Sequence, residues 1–191
     1  MLISINILNT TLVSNKLLRR LEFAIQITVD EIMKDIFPLI IPSFAYLTST
    51  SINLYATTVK ILDTMANAKY CFIMLDLNCE HTIIDMFQHF LVALKGNYLG
   101  NVFTSIETIM TFTLEECSDN IFLDLITLLL DSVQNKHKDV FPIAFRAVER
   151  LFEKRVGTIK PYLSQAIKSL GVCLNDYSAI LSSIFREVEN C

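Results

Sequence analysis

Residues 101–116 read NVFTSIETIMTFTLEE and residues 139–154 read DVFPIAFRAVERLFEK, and their Val-Phe pairs, Val102-Phe103 and Val140-Phe141, stand 38 residues apart. The same offset carries Ile106 onto Ala144, Ile109 onto Ala147 and Met110 onto Val148. Upstream it carries Ile83 onto Ile121, Phe87 onto Leu125, Phe90 onto Leu128 and Leu91 onto Leu129. In the second stretch Val140, Ala144, Ala147, Val148, Leu151 and Phe152 form one apolar helical face. Arg146, Glu149, Arg150, Glu153 and Lys154 form the opposite face, so such a helix packs on one side only.

A period of roughly forty residues built from two amphipathic helices is the signature of HEAT or armadillo arrays, in which each hairpin buries its apolar stripe by stacking on neighbours. The fold predicted is therefore all-α: an α-α superhelix, a HEAT/armadillo-like solenoid of about four hairpins. Helices are expected at 16–28, 30–44, 51–66, 80–95, 101–117, 119–134, 139–156, 158–170 and 176–189, with no sustained strand-like alternation. Asp139 ahead of Pro142, and Thr158 ahead of Pro161, read as N-caps with proline in the first turn. Gly100 and Gly157 are placed to close the preceding helices.

Residues 29–191 form the predicted array, in repeats at 29–66, 80–117, 119–156 and 158–189. Between the first two repeats, 67–79 is an extra segment; its run Lys69-Tyr70-Cys71-Phe72-Ile73-Met74-Leu75 is too apolar for a free loop and is expected as a short helix or a buried extended piece. Residues 1–28 are an atypical, partly helical start.

An apolar fraction of 52% with 19% charged residues and a mean hydropathy of +0.46 raises the possibility of a membrane protein. The longest charge-free run, 36–59, argues against it: Pro38 and Pro42 interrupt its first half, and Thr48-Ser49-Thr50-Ser51 places four hydroxyls where a loop between helices belongs. Asp76, Asp85, Asp124 and Asp131 break the other apolar stretches. The first residues lack a basic n-region and a small-residue cleavage site, so no secretory signal is expected. Five cysteines without paired spacing then point to reduced thiols in the nucleus or cytosol. A net charge of −4 does not favour direct nucleic-acid binding. Open array ends without polar capping repeats predict that the isolated chain self-associates or folds poorly.

No residue pattern specifies catalysis or a cofactor. Cys71, Cys79, His81 and His89 lack the short paired spacing of a structural zinc site. Asp76, Glu80 and Asp85, or Glu115-Glu116, are candidate carboxylates that the sequence does not bring together; the simpler reading is helix-start acids and a solvated turn. Only isolated glycines occur, which excludes a phosphate-cradling loop. One electrostatic feature stands out: Arg146, Arg150, Lys154, Arg155 and Lys160, the first three at i, i+4 and i+8, form a stripe for a polyanion or an acidic partner. Its alternative is a solvated face laced by Arg146–Glu149 and Arg150–Glu153 pairs.

Lys34-Asp35-Ile36-Phe37, Met74-Leu75-Asp76-Leu77, Asp85-Met86-Phe87 with Phe90, Thr108-Ile109-Met110, Leu114-Glu115-Glu116, Leu128-Leu129-Leu130 and Lys138-Asp139-Val140 occur in a telling order. From Glu31 to Ile184 the chain resembles the amino-terminal part of the cohesin accessory family called precocious dissociation of sisters, number five, in its plant versions. The resemblance implies a nuclear, non-enzymatic HEAT scaffold that binds the cohesin complex, docking on kleisin and working with Wapl, and that supports cohesin acetylation and DNA repair. Family members are several times longer, and the residues before Glu31 do not match the expected preceding repeats, so no partner-binding residue is carried over. Two other classes remain open from the residues alone: a generic HEAT adaptor in trafficking or transport, and a helical-bundle enzyme or ligand-binding protein.

Overall fold

The structure, a computed structural model, describes residues 2–96, 100–154, 156–171, 176–177 and 181–184. Its contacts divide the chain into two compact units, Met1–Pro38 and Leu39–Cys191.

The first unit is the body of helix α1, Leu2–Ile40, and it departs from the sequence expectation at one place. The expected break between Thr28 and Asp30 is absent. Thr28 donates back to the Ala24 carbonyl at 2.9 Å, and Gln26 Nε2 donates to Asp30 Oδ1 at 2.8 Å, an i,i+4 bond that supports a continuous helix in place of a new cap. In residues 21–29 the large apolar side chains fall at every second position. On a helix a period of two spreads side chains around the cylinder, so Leu21, Phe23, Ile25, Ile27 and Val29 all stay exposed.

Pro38 lies inside α1, and the α-helix gives way two residues after it, at Ile40, to a 3-10 segment, Ile41–Thr48, with Pro42 in its first turn. The hydroxyl run then makes the loop: Ser51 N–H donates to Ser49 Oγ at 3.1 Å, and α2 follows at Ile52–Asn67. The remaining helices of the second unit are α3 (Tyr70–Asp76), α4 (Glu80–Leu94), α5 (Gly100–Glu116), α6 (Asp119–Ser132), α7 (Asn135–Lys138), α8 (Pro142–Lys154) and α9 (Val156–Leu170). Among the described residues there is no strand; one isolated bridge joins Gln134 and Tyr177. Of the expected 176–189 helix, 181–184 are α-helical, Asp176 has 3-10 backbone and Tyr177 lies in the isolated bridge; the others lie outside the described residues.

The helices of this unit stack in two layers. One runs from the 3-10 segment through α4 and α6 to α9; the other runs from α2 through α5 to α8. The apolar stripes face inward: Ile83, Met86, Phe87, Phe90, Leu91 and Leu94 from α4, and Ile121, Phe122, Leu125, Ile126, Leu129 and Leu130 from α6. Each such buried side chain contributes roughly 1.5–3 kcal/mol relative to exposure. The 38-residue offset is visible in this burial, because Ile83 and Ile121, Phe87 and Leu125, Leu91 and Leu129, Ile109 and Ala147, and Met110 and Val148 are all buried pairs. The fold is an all-α HEAT-like array.

Several expected helix ends move. α8 starts at Pro142, because α7 intervenes and Asp139, at its C-cap, has helical backbone (φ −85°, ψ −23°) and caps no following helix. Phe141 N–H donates to His137 O, and Phe145 N–H to Phe141 O, so proline takes the first helical position, where it lacks no bond. Val140 is consequently 62% exposed, while its echo Val102 is 2% exposed. Gly157 and Pro161 lie within α9, and Gly100 begins α5; neither glycine closes a helix. That role falls to Gly171, whose φ of +62° ends α9 with its N–H donated to Ile167 O.

Candidate partner-docking surfaces

Helix α8 presents Arg146, Arg150 and Lys154 to solvent on one side, because its buried set, Ala144, Phe145, Ala147, Val148, Leu151 and Phe152, takes the other. Lys154 is not a free cation: its Nζ lies 2.9 Å from Oε1 of Glu107 on α5, with the two side chains 55% and 18% exposed. This is the ion pair found among the described residues, and Arg146 and Arg150 reach no carboxylate there, so the i,i+3 lacing expected with Glu149 and Glu153 does not form. Arg155 lies outside the described residues; Lys160 belongs to α9, and its side chain is likewise outside them. The stripe described is thus two unpaired arginines and one lysine that ties α8 to α5.

Similar polar ties link other helices within each layer. Ser105 of α5 donates to Asp63 Oδ1 of α2 at 2.6 Å, and the Tyr162 hydroxyl of α9 donates to Asp119 Oδ1 of α6. The Tyr162 ring also sits 4.7 Å from that of Phe122, and its hydroxyl titrates above the usual tyrosine range because the hydrogen bond it donates to Asp119 favours the neutral phenol.

A second surface is a groove of about 280 Å³ lined by Phe72, Leu75 and Asp76 of α3 and Glu116 of α5. Lys69, in a left-handed conformation (φ 54°) just ahead of α3, holds its ammonium 4.7 Å from the Phe112 ring and 5.6 Å from the Phe72 ring. The two rings are 5.6 Å apart. Asp76 and Glu116 fall in separate candidate groups along the sequence; the packing of α3 on α5 places them on one groove. No linear spacing signals that meeting. A larger pocket of about 340 Å³ is lined by Leu47, Thr48, Ser49, Thr50, Ile52 and Tyr55.

Cys71 is buried, Cys79 and His89 are half-buried and His81 is exposed; among the described residues no three His, Cys, Asp or Glu side chains gather as metal ligands. Burial pushes the Cys71 thiol up, and pushes that of Cys117 up to about 12, so both are held as neutral thiols. Among the described residues no helix is long and apolar enough to cross a membrane.

Stacked helical layers tied by side-chain bonds, with charged and grooved outer faces, define the class: a helical-repeat array of the HEAT-like kind. Within that class, the chain belongs to the family of the sister chromatid cohesion protein PDS5, whose family model matches residues 29–172. It is 41% identical over 155 residues to sister chromatid cohesion protein PDS5 homolog C of Arabidopsis thaliana, covering 81% of this chain and 18% of that protein. Against homolog D of the same organism the identity is 34% over 161 residues, covering 84% of this chain and 19% of the relative. The chain thus spans under a fifth of the length of these curated relatives. No solved structure matches it.

Proposed function

We propose that this chain is a non-enzymatic scaffold segment that regulates sister chromatid cohesion in the nucleus by binding cohesin subunits and their regulators. The observation that carries the reading is the family match over residues 29–172, which covers the two-layer helical array. In this reading 29–66, 80–117, 119–156 and 158–189 act as repeats, with 67–79 as the extra segment that carries α3. Kleisin and Wapl are the partners proposed, and neither nucleic acid nor membrane is contacted directly by this segment. Arg146 and Arg150, exposed and unpaired among the described residues, offer an acidic partner segment a short cationic stripe. With Lys154 already held by Glu107, the stripe tests best at the arginines.

Co-precipitation of the tagged chain from nuclear extract, probed for cohesin ring subunits, tests the proposal. Ring subunits are expected above a tagged control, with Arg146→Glu/Arg150→Glu lowering their recovery. Unchanged recovery with the reversal variant removes the stripe from the account. Absence of every ring subunit removes the cohesin reading.

A further inference from the structure

We propose that the groove between α3 and α5 docks an arginine side chain from a linear segment of another polypeptide. The proposal rests on the array being a docking scaffold, though not on cohesin being its partner. Phe72 and Leu75 are half-buried and form an apolar floor, and the exposed Asp76 and Glu116 border it. Among the described residues neither carboxylate has a cation within ion-pair distance.

Both carboxylates also stand where helix electrostatics disfavour them. Asp76 is the last residue of α3 and Glu116 the last of α5. Carbonyl groups at a helix C-terminus already carry partial negative charge, so an acid there costs helix stability while a cation is stabilised. Two carboxylates at helix C-termini therefore border one groove, a local conflict of the kind that binding sites retain.

Lys69 is a cation of the chain itself that already lies against the adjoining rings. Its ammonium shows that this aromatic pair takes a cation, and because it lies nearer Phe112 (4.7 Å) than Phe72 (5.6 Å), Phe72 still lines the groove. An arriving guanidinium suits all three features together. Its plane stacks on an aromatic ring, its paired N–H groups match a carboxylate, and its stem lies on Leu75. Lysine offers a point charge without the stacking plane.

The test uses the whole chain and two short fluorescent peptides, Gly-Ser-Ala-Arg-Ala-Leu-Ser-Gly and the same peptide with citrulline, a neutral isostere, in place of arginine. Fluorescence anisotropy should show the arginine peptide binding about tenfold more tightly than the citrulline peptide. The Asp76→Asn/Glu116→Gln variant should lose that preference while melting at the same temperature or higher, since it removes two charges from helix C-termini. Equal binding of the two peptides, binding of neither, or an arginine preference that survives in the variant would each overturn the proposal. A chain that recovers cohesin yet does not distinguish the peptides sinks only the groove; one that distinguishes them without recovering cohesin sinks only the cohesin assignment.

Discussion

Cys117 immediately follows α5, half-buried, with its thiol pushed up to about 12 from 9.0 by burial. A folded-state value above the unfolded one means that the stability held by the neutral thiol is intact below about pH 9 and is lost as pH rises toward 12. Melting temperature should fall across that window, and Cys117→Ala should make the fall shallower. An unchanged slope would show that the thiol is not linked to folding. Cys71, Tyr162 and Tyr177 are raised as well, so part of the alkaline loss persists in the variant. The Lys154–Glu107 pair is a second residue-scale case: with Lys154 55% exposed, solvent screens it, and a double-mutant cycle with Lys154→Met and Glu107→Gln should return a coupling of about 0.2–1 kcal/mol. A coupling of zero would make it a solvated contact. Sequence spacing gave the stripe but not this pairing, because Glu107 lies a whole repeat away.

At the scale of helices, the apolar faces are legible in the sequence, and so are many ends, α4 and α6 starting at the expected Glu80 and Asp119; the start of α8 is not. Burial follows the periodic positions in α4, α6 and α8, since a stripe three and four residues apart has one way to face a neighbour. Val140 failed because helix starts depend on hydrogen bonds that periodicity does not register. His137 and Phe141 take up the backbone ahead of Pro142, and the matched Val-Phe pairs end in different environments. The apolar composition of 69–75 requires packing but leaves open a short helix or an extended piece, and the structure makes it α3. Phe90 is the element-scale probe, fully buried on α4 with its ring 5.2 Å from that of Phe44 in the 3-10 segment. Phe90→Ala should cost about 3–5 kcal/mol in urea unfolding, while Val92→Ala, at an exposed position of the same helix, should stay within about 0.5 kcal/mol. Similar losses for both would contradict the assigned facing.

For the whole molecule, the repeat predicts the architecture, and the ordered motifs predict the family. The offset predicts stacked hairpins because amphipathic helices bury their stripes only against one another. Order and spacing of short motifs identified the family, and its match spans 29–172. The docking groove was hidden, since Asp76 and Glu116 meet through the packing of α3 on α5 and not through any linear motif. The most direct measurement of the central claim is binding of the purified chain to purified, surface-captured cohesin rings by biolayer interferometry. The account predicts saturable, concentration-dependent binding that weakens with Arg146→Glu/Arg150→Glu. A folded chain that gives no more signal on cohesin than on an unrelated captured complex would contradict it.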